Sequence, residues 1–162
     1  HSAVDLVTET HRIGALLQAV LPASIGLYLH LPEAVLQVRL DPLGYEQAVL
    51  NLIINARHAM ADQGTIDLEL EIRHDQVALH VSDSGSGIAR KVLPHIFKPF
   101  FTTKPTGEGT GLGLTVSRKI IELHGGLLEV KNLPERGVRV TITLKAHKEK
   151  DRQDGKETHT PG

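Results

Sequence analysis

Two asparagines stand one helical turn apart in Glu46-Gln47-Ala48-Val49-Leu50-Asn51-Leu52-Ile53-Ile54-Asn55-Ala56, and they limit what this chain can fold into more than any other feature. The apolar residues around them predict a buried helix over about 43 to 61, opened by Asp41-Pro42, a favoured cap and first-turn pair. Asparagine is a poor helix-interior residue because its amide competes for backbone partners. A spacing of four puts Asn51 and Asn55 on one face, where two amide oxygens can converge on a hard cation such as Mg²⁺. Such a cation implies phosphates nearby. Taken alone, the pair reads equally well as a solvated polar stripe.

A second element follows an alternating run, Val77 to Val81, that reads as a strand: Val81-Ser82-Asp83-Ser84-Gly85-Ser86-Gly87-Ile88. Gly85 and Gly87 permit positive φ and close backbone approach, and Asp83 is an acceptor held at the strand end, suited to an adenine amino group. An isolated turn of this composition is more often a plain loop. The third element, Thr102-Thr103-Lys104-Pro105-Thr106-Gly107-Glu108-Gly109-Thr110-Gly111-Leu112-Gly113-Leu114, runs into a helix that starts near Gly111. Its glycines leave successive N–H groups free to form an anion nest, and the helix aims its positive end at the same place. Leu112, Val116, Ile120 and Leu123 mark a buried stripe, and Gly125-Gly126 supply the stop.

The glycine run lacks the Gly-Lys-Ser/Thr ending of a Walker loop. It also comes late in the chain, not after a first strand with an acidic residue about 20 positions on, as a dinucleotide fold requires. In order and separation, the three elements resemble the ATP-binding catalytic domain of sensor histidine kinases, within the Bergerat-fold ATPase superfamily. The resemblance covers residues 3 to 145 and includes Ile96-Phe97-Lys98-Pro99-Phe100-Phe101-Thr102-Thr103-Lys104, similar to the phenylalanine-bearing segment ahead of the family's ATP lid. Asn-Leu-Ile-Ile-Asn-Ala-Arg-His-Ala-Met and the short lid look most like the nitrogen-regulation-type subgroup.

The resemblance implies Mg²⁺ on Asn55 with Asn51 beside it, Asp83 on the adenine amino group, and a base pocket shaped by Gly85, Gly87 and Ile88. It implies that Gly107, Gly109, Thr110, Gly111, Leu112, Gly113 and Leu114 frame the phosphates with Thr102, Thr103 and Lys104, and it adds His58 and Thr141 to the nucleotide site. Superfamily ATPases usually carry a water-activating glutamate at the position of Asn51. An amide cannot be that base, which favours phosphoryl transfer to a protein over hydrolysis. His58 departs from the subgroup's usual acidic residue, Val138 from a frequent threonine, and Lys145 from a common proline.

The implied fold is an α+β two-layer sandwich, a mixed and mostly antiparallel sheet with helices on one face. The pattern predicts helices near 5 to 20, 43 to 61 and 111 to 124. Strands are predicted near 25 to 31, 35 to 40, 65 to 73, 76 to 82, 127 to 132 and 137 to 144, with a lid over about 89 to 110. Domain boundaries are expected at 1 to 145, with a disordered tail over 146 to 162, because nine of the last eighteen residues are charged and Ala146 is their one aliphatic. A length of 162 residues and a charge of −1 suit one core and leave no basic footprint for nucleic acid. The absence of cysteine excludes disulfides and thiolate metal sites. The uncharged stretch 13 to 32 is broken by Pro22 and alternates afterwards, so it reads as helix, break and strand, with no membrane contact.

A kinase of this kind needs a phosphoacceptor histidine on a helical hairpin. Only His11 lies near the start, followed by Arg12 and not by an acid, so the hairpin is expected outside this chain. His11, His30, His74, His80, His95 and His124 are expected at the surface or in caps. The phenylalanines at 97 to 101 serve either to anchor the lid base or to dock the partner. The expectation is a cytoplasmic, Mg²⁺- and ATP-dependent kinase domain serving a histidine-bearing hairpin and, through it, a response regulator. A regulatory ATP-binding module and a serine-directed anti-sigma kinase are the alternatives.

Overall fold

Residues 1–98 and 113–148 are described by a computed structural model. The strands are β1 (Ser2–Asp5), β2 (Ile25–His30), β3 (Gln37–Leu40), β4 (Gly64–Arg73), β5 (Gln76–Asp83), β6 (Leu127–Asn132) and β7 (Val138–Lys145). The helices are α1 (Leu6–Val20), α2 (Pro42–Ala59) and α3 (Gly113–Leu123). Five strands form one sheet in the order β2-β4-β5-β7-β6, parallel only between β2 and β4. The expected mixed, mostly antiparallel sheet is therefore present.

Alternation along the strands decides which face meets the helices. Ile66, Leu68 and Leu70 of β4, Val77, Leu79 and Val81 of β5, and Val140, Ile142 and Leu144 of β7 join one buried cluster. Ile13 and Leu17 of α1, Tyr45, Ala48, Val49, Leu52 and Ile53 of α2, and Ile121 of α3 belong to the same cluster. The opposite sheet face carries Tyr28, Thr65, Glu69, Glu129 and Lys131, all exposed. Among the described residues, no helix is long and apolar enough to cross a membrane.

Local chemistry sets the helix ends. Asp41 caps α2, its carboxylate accepting from Leu43 N–H at 3.2 Å, with Pro42 as the first helical residue. The α3 terminus is a Schellman arrangement: Gly126 N–H reaches Ile121 O, Gly125 N–H reaches Glu122 O, and Gly125 sits at φ +73. His124 ties these two ends together, accepting from Asp41 N–H at 3.0 Å through Nε2 and so donating from Nδ1 to Ile120 O at 2.6 Å.

One element was not foreseen and one expectation needs correction. Residues 2 to 5 form β1, which pairs antiparallel with β3 in a separate two-stranded sheet. His80, expected at the surface or in a cap, is only 4% exposed. Its place on the open sheet face hid this, because neighbouring long side chains cover it: Glu71 lies 2.6 Å from its Nε2 and Thr141 Oγ1 2.8 Å from its Nδ1.

Candidate functional site

The C-terminal half of α2 meets the end of β5 and the start of α3. Residues 51, 55 and 59 follow one another at intervals of four along one face of α2, each step advancing about 6 Å. Asn51 and Asn55 are half-buried. Gly113, the first residue of α3, lies so close to Asn55 that a Cβ there would sit 2.7 Å from Nδ2 and 2.9 Å from Oδ1. One turn further on, a Cβ on Gly85 would lie 3.3 Å from Ala59 O. A single helix thus touches both the loop after β5 and the start of α3.

Asp83 closes β5 on the helix-facing side, opposite Ile66 in register. Its Oδ1 accepts N–H bonds from Gly85 at 2.9 Å and Val138 at 3.3 Å. Among the described residues no hydrogen bond occupies Oδ2. Burial holds the carboxyl above its ordinary 3.8, against the lowering effect of those two N–H bonds. The loop is braced further by Ser84 N–H to Thr65 O at 3.1 Å, Thr65 N–H to Ser84 Oγ at 2.9 Å and Arg136 Nε–H to Gly85 O at 3.2 Å. Gly87 takes φ +86, which a side chain would resist.

α3 is anchored from two sides. Ser117 Oγ donates to Ala48 O at 3.0 Å inside the core, and Thr115 Oγ1 donates to Phe97 O at 3.0 Å. The Arg118 guanidinium lies 4.4 Å over the Phe97 ring, a cation–π contact. Phe97 also packs on the core.

Asn51, Asn55, Asp83, Gly85, Gly87, Ile88, Gly113 and Leu114 therefore lie on three elements that meet. His58 is exposed on α2. Thr141 stands apart: it faces His80 across the β5–β7 ladder, on the sheet surface away from Asp83, and bonds that imidazole. Placing Thr141 in the nucleotide site is thus a correction, and strand alternation is its cause. Thr102, Thr103, Lys104, Gly107, Gly109, Thr110, Gly111 and Leu112 lie outside the described residues, as do Phe100 and Phe101. The sequence reading missed Asn132, whose amide bonds both backbone groups of Ile88 at 2.7 Å, and Arg136. An asparagine ending a strand beside a Pro-Glu-Arg-Gly turn was the available signal.

Two other features gather polar side chains. Glu69, Glu71 and His80 bring ligand atoms within 4.8 Å of one another. There Arg73 and then His80 hold the Glu71 carboxyl down to about 2, so two of the three side chains, Glu71 and His80, are already bonded to each other. A groove of about 590 Å³ near Arg39, His124 and Lys145 includes Asp75. It lies beside the opposite end of β5 from Asp83, about 25 Å along the strand.

The profile of the histidine kinase-, DNA gyrase B-, and HSP90-like ATPase family matches residues 40–148. The sensor histidine kinase ZraS of Salmonella typhimurium is 43% identical over 136 residues, which is 83% of this chain and 29% of that protein. This chain therefore spans less than a third of that relative's length. Among solved structures, the nucleotide-free catalytic domain of histidine kinase ThkA superposes with TM-score 0.79 at 31% identity, covering 89% of this chain and 94% of that one. ThkA in complex with the response regulator protein TrrA gives TM-score 0.76 at 27% identity, covering 90% of this chain and 42% of that one.

Proposed function

This chain belongs to the histidine kinase-, DNA gyrase B-, and HSP90-like ATPase family and is homologous to the catalytic domains of sensor histidine kinases; from that premise we propose that it binds ATP with Mg²⁺ and presents the γ-phosphoryl group to a histidine on a partner hairpin. One observation carries this reading. α2 touches the Asp83–Ile88 loop at Ala59 and the start of α3 at Asn55, one turn apart, so base and phosphate ends of a nucleotide would share one rigid edge.

In this reading Asp83 Oδ2 accepts the adenine amino group while Oδ1 is spent on Gly85 and Val138. The donor set fits the metal: Asn51 and Asn55 offer neutral amide oxygens on one face, the hard ligands Mg²⁺ prefers. Mg²⁺, when bound, would supply charge neutralisation on the phosphates. The bare Gly113 keeps the Asn55 amide against the α3 terminus, where N–H groups favour an anion. Lys104 is proposed as a further phosphate contact. Asn51 and Asn55 are amides and not bases, so neither takes up the nucleophile's proton, and catalysis rests on positioning and charge.

The hairpin belongs to another segment of the full-length protein in this proposal, with a response regulator receiving the phosphoryl group downstream. That regulator partnership is supported by the ThkA complex with TrrA. We further propose a catalytic unit ending near residue 145, a cytoplasmic location, and membership of the nitrogen-regulation-type subgroup. The deciding experiment mixes the chain with labelled ATP, Mg²⁺ and candidate hairpin fragments. Acid-labile label on a hairpin histidine is expected. Acid-stable label would point to a serine-directed kinase, and tight ATP binding without transfer to any hairpin would point to a regulatory module; either result overturns the proposal.

A further inference from the structure

We propose that Asn132 is a positioning residue for adenine recognition, holding the Gly85–Ile88 loop in the shape that aims Asp83 at the base; this rests on the ATP-binding reading above. Asn132 ends β6 on the helix-facing side, opposite Val138 in register. Its Oδ1 accepts from Ile88 N–H at 2.7 Å and its Nδ2–H donates to Ile88 O at 2.7 Å. One side chain thus pairs with both backbone groups of a single residue, as the facing residue of a neighbouring strand would. Only a primary amide carries donor and acceptor in that arrangement: a carboxylate lacks the donor and alanine lacks both.

The clasp matters because of what lies between it and Asp83. Ile88 follows Gly87 at φ +86, and two of the four residues separating Asp83 from Ile88 are glycines, the residues that lose most freedom on ordering. At its near end the loop is tied to the same hairpin: Arg136 holds Gly85 O, and Val138 N–H meets Asp83 Oδ1. Asn132 closes the far end. Because its own side chain is exposed, its removal opens no core cavity; it releases the loop. Affinity for the base then falls, because ordering the loop becomes a cost of binding.

The test measures ATP and GTP affinity, thermal unfolding and Ile88 amide exchange for the wild-type chain, Asn132→Ala, Asn132→Asp and Lys131→Ala. Asn132→Ala should weaken ATP by about tenfold while leaving GTP nearly unchanged, since only the adenine-specific contact is disordered, and Ile88 N–H should exchange faster. Asn132→Asp keeps the acceptor but sets a carboxylate against Ile88 O, so it should lose at least as much and serves should the alanine variant fail to fold. Lys131→Ala, on the other sheet face, should bind as wild type. Failure of the wild type to bind ATP overturns the parent reading. Wild-type binding matched by both Asn132 variants overturns this proposal alone, as does an equal loss for ATP and GTP.

Discussion

At the scale of single residues, the proposed site assigns separable roles to two side chains. Asp83→Asn should weaken ATP binding by roughly 10- to 100-fold, the loss of a charged hydrogen bond worth about 1.5–3 kcal/mol. It should also blunt the preference for adenine, because guanine presents an oxygen where adenine presents an amino group, and an amide can turn to donate. Competition titrations with ATP and GTP check both effects. Burial lifts the Asp83 carboxyl above 3.8, so the folded state binds the proton more tightly than the unfolded chain does. Asp83 therefore adds stability that is fully present below pH 3.8 and lost as pH rises through its raised pKa. ATP affinity should run the other way, since the proposed adenine contact is stronger to the ionised form: it should fall as pH drops through that same raised value, and Asp83→Asn should flatten this limb. Asn55→Ala should abolish the Mg²⁺ enhancement of nucleotide binding while costing less than about 1 kcal/mol of stability, because Asn55 is half-buried and its loss opens no large cavity. Titrations with and without Mg²⁺, beside a denaturation curve, measure the two effects.

At the scale of elements, Gly113 sets two effects against each other. Alanine there should favour α3 by up to about 1 kcal/mol on propensity alone, yet its Cβ would fall 2.7 Å from the Asn55 amide. Gly113→Ala should therefore keep or raise the melting temperature while cutting Mg²⁺-ATP affinity about tenfold, a split that calorimetry and binding titration resolve. The elements also show where sequence reading stops. α2, the β4–β5 hairpin and the α3 terminus were legible because their signals are local: a cap and proline at 41 and 42, alternation on either side of Asp75, paired glycines at 125 and 126. β1 was not legible, since four residues carry no period and its partner β3 lies more than thirty positions away. Asn132 was hidden for the same reason, its meaning residing in a contact with Ile88. Thr141 and His80 were misjudged together because strand alternation sends both to the face away from the helices.

At the scale of the whole molecule, the two-layer arrangement puts the proposed ligand contacts among the described residues on the helix side and leaves the other sheet surface largely polar. The chain alone, given ATP and Mg²⁺, should show no stoichiometric autophosphorylation. Intact-mass spectrometry at neutral pH checks this, and a near-complete shift on any of the ten histidines would contradict it. His80 and His124 illustrate why: each imidazole already has both ring nitrogens engaged by structural partners. The glycines have a consequence for anyone scanning this chain by mutation. At Gly137, φ +94, an added Cβ would collide with the Asp83 carbonyl itself, so replacement there breaks the hairpin before any nucleotide arrives. Inactive variants will therefore sort into two groups, those that have lost a contact and those that have lost the mould around it. A folding readout beside the binding assay tells them apart, with Asn55 expected in the first group and Gly137 in the second.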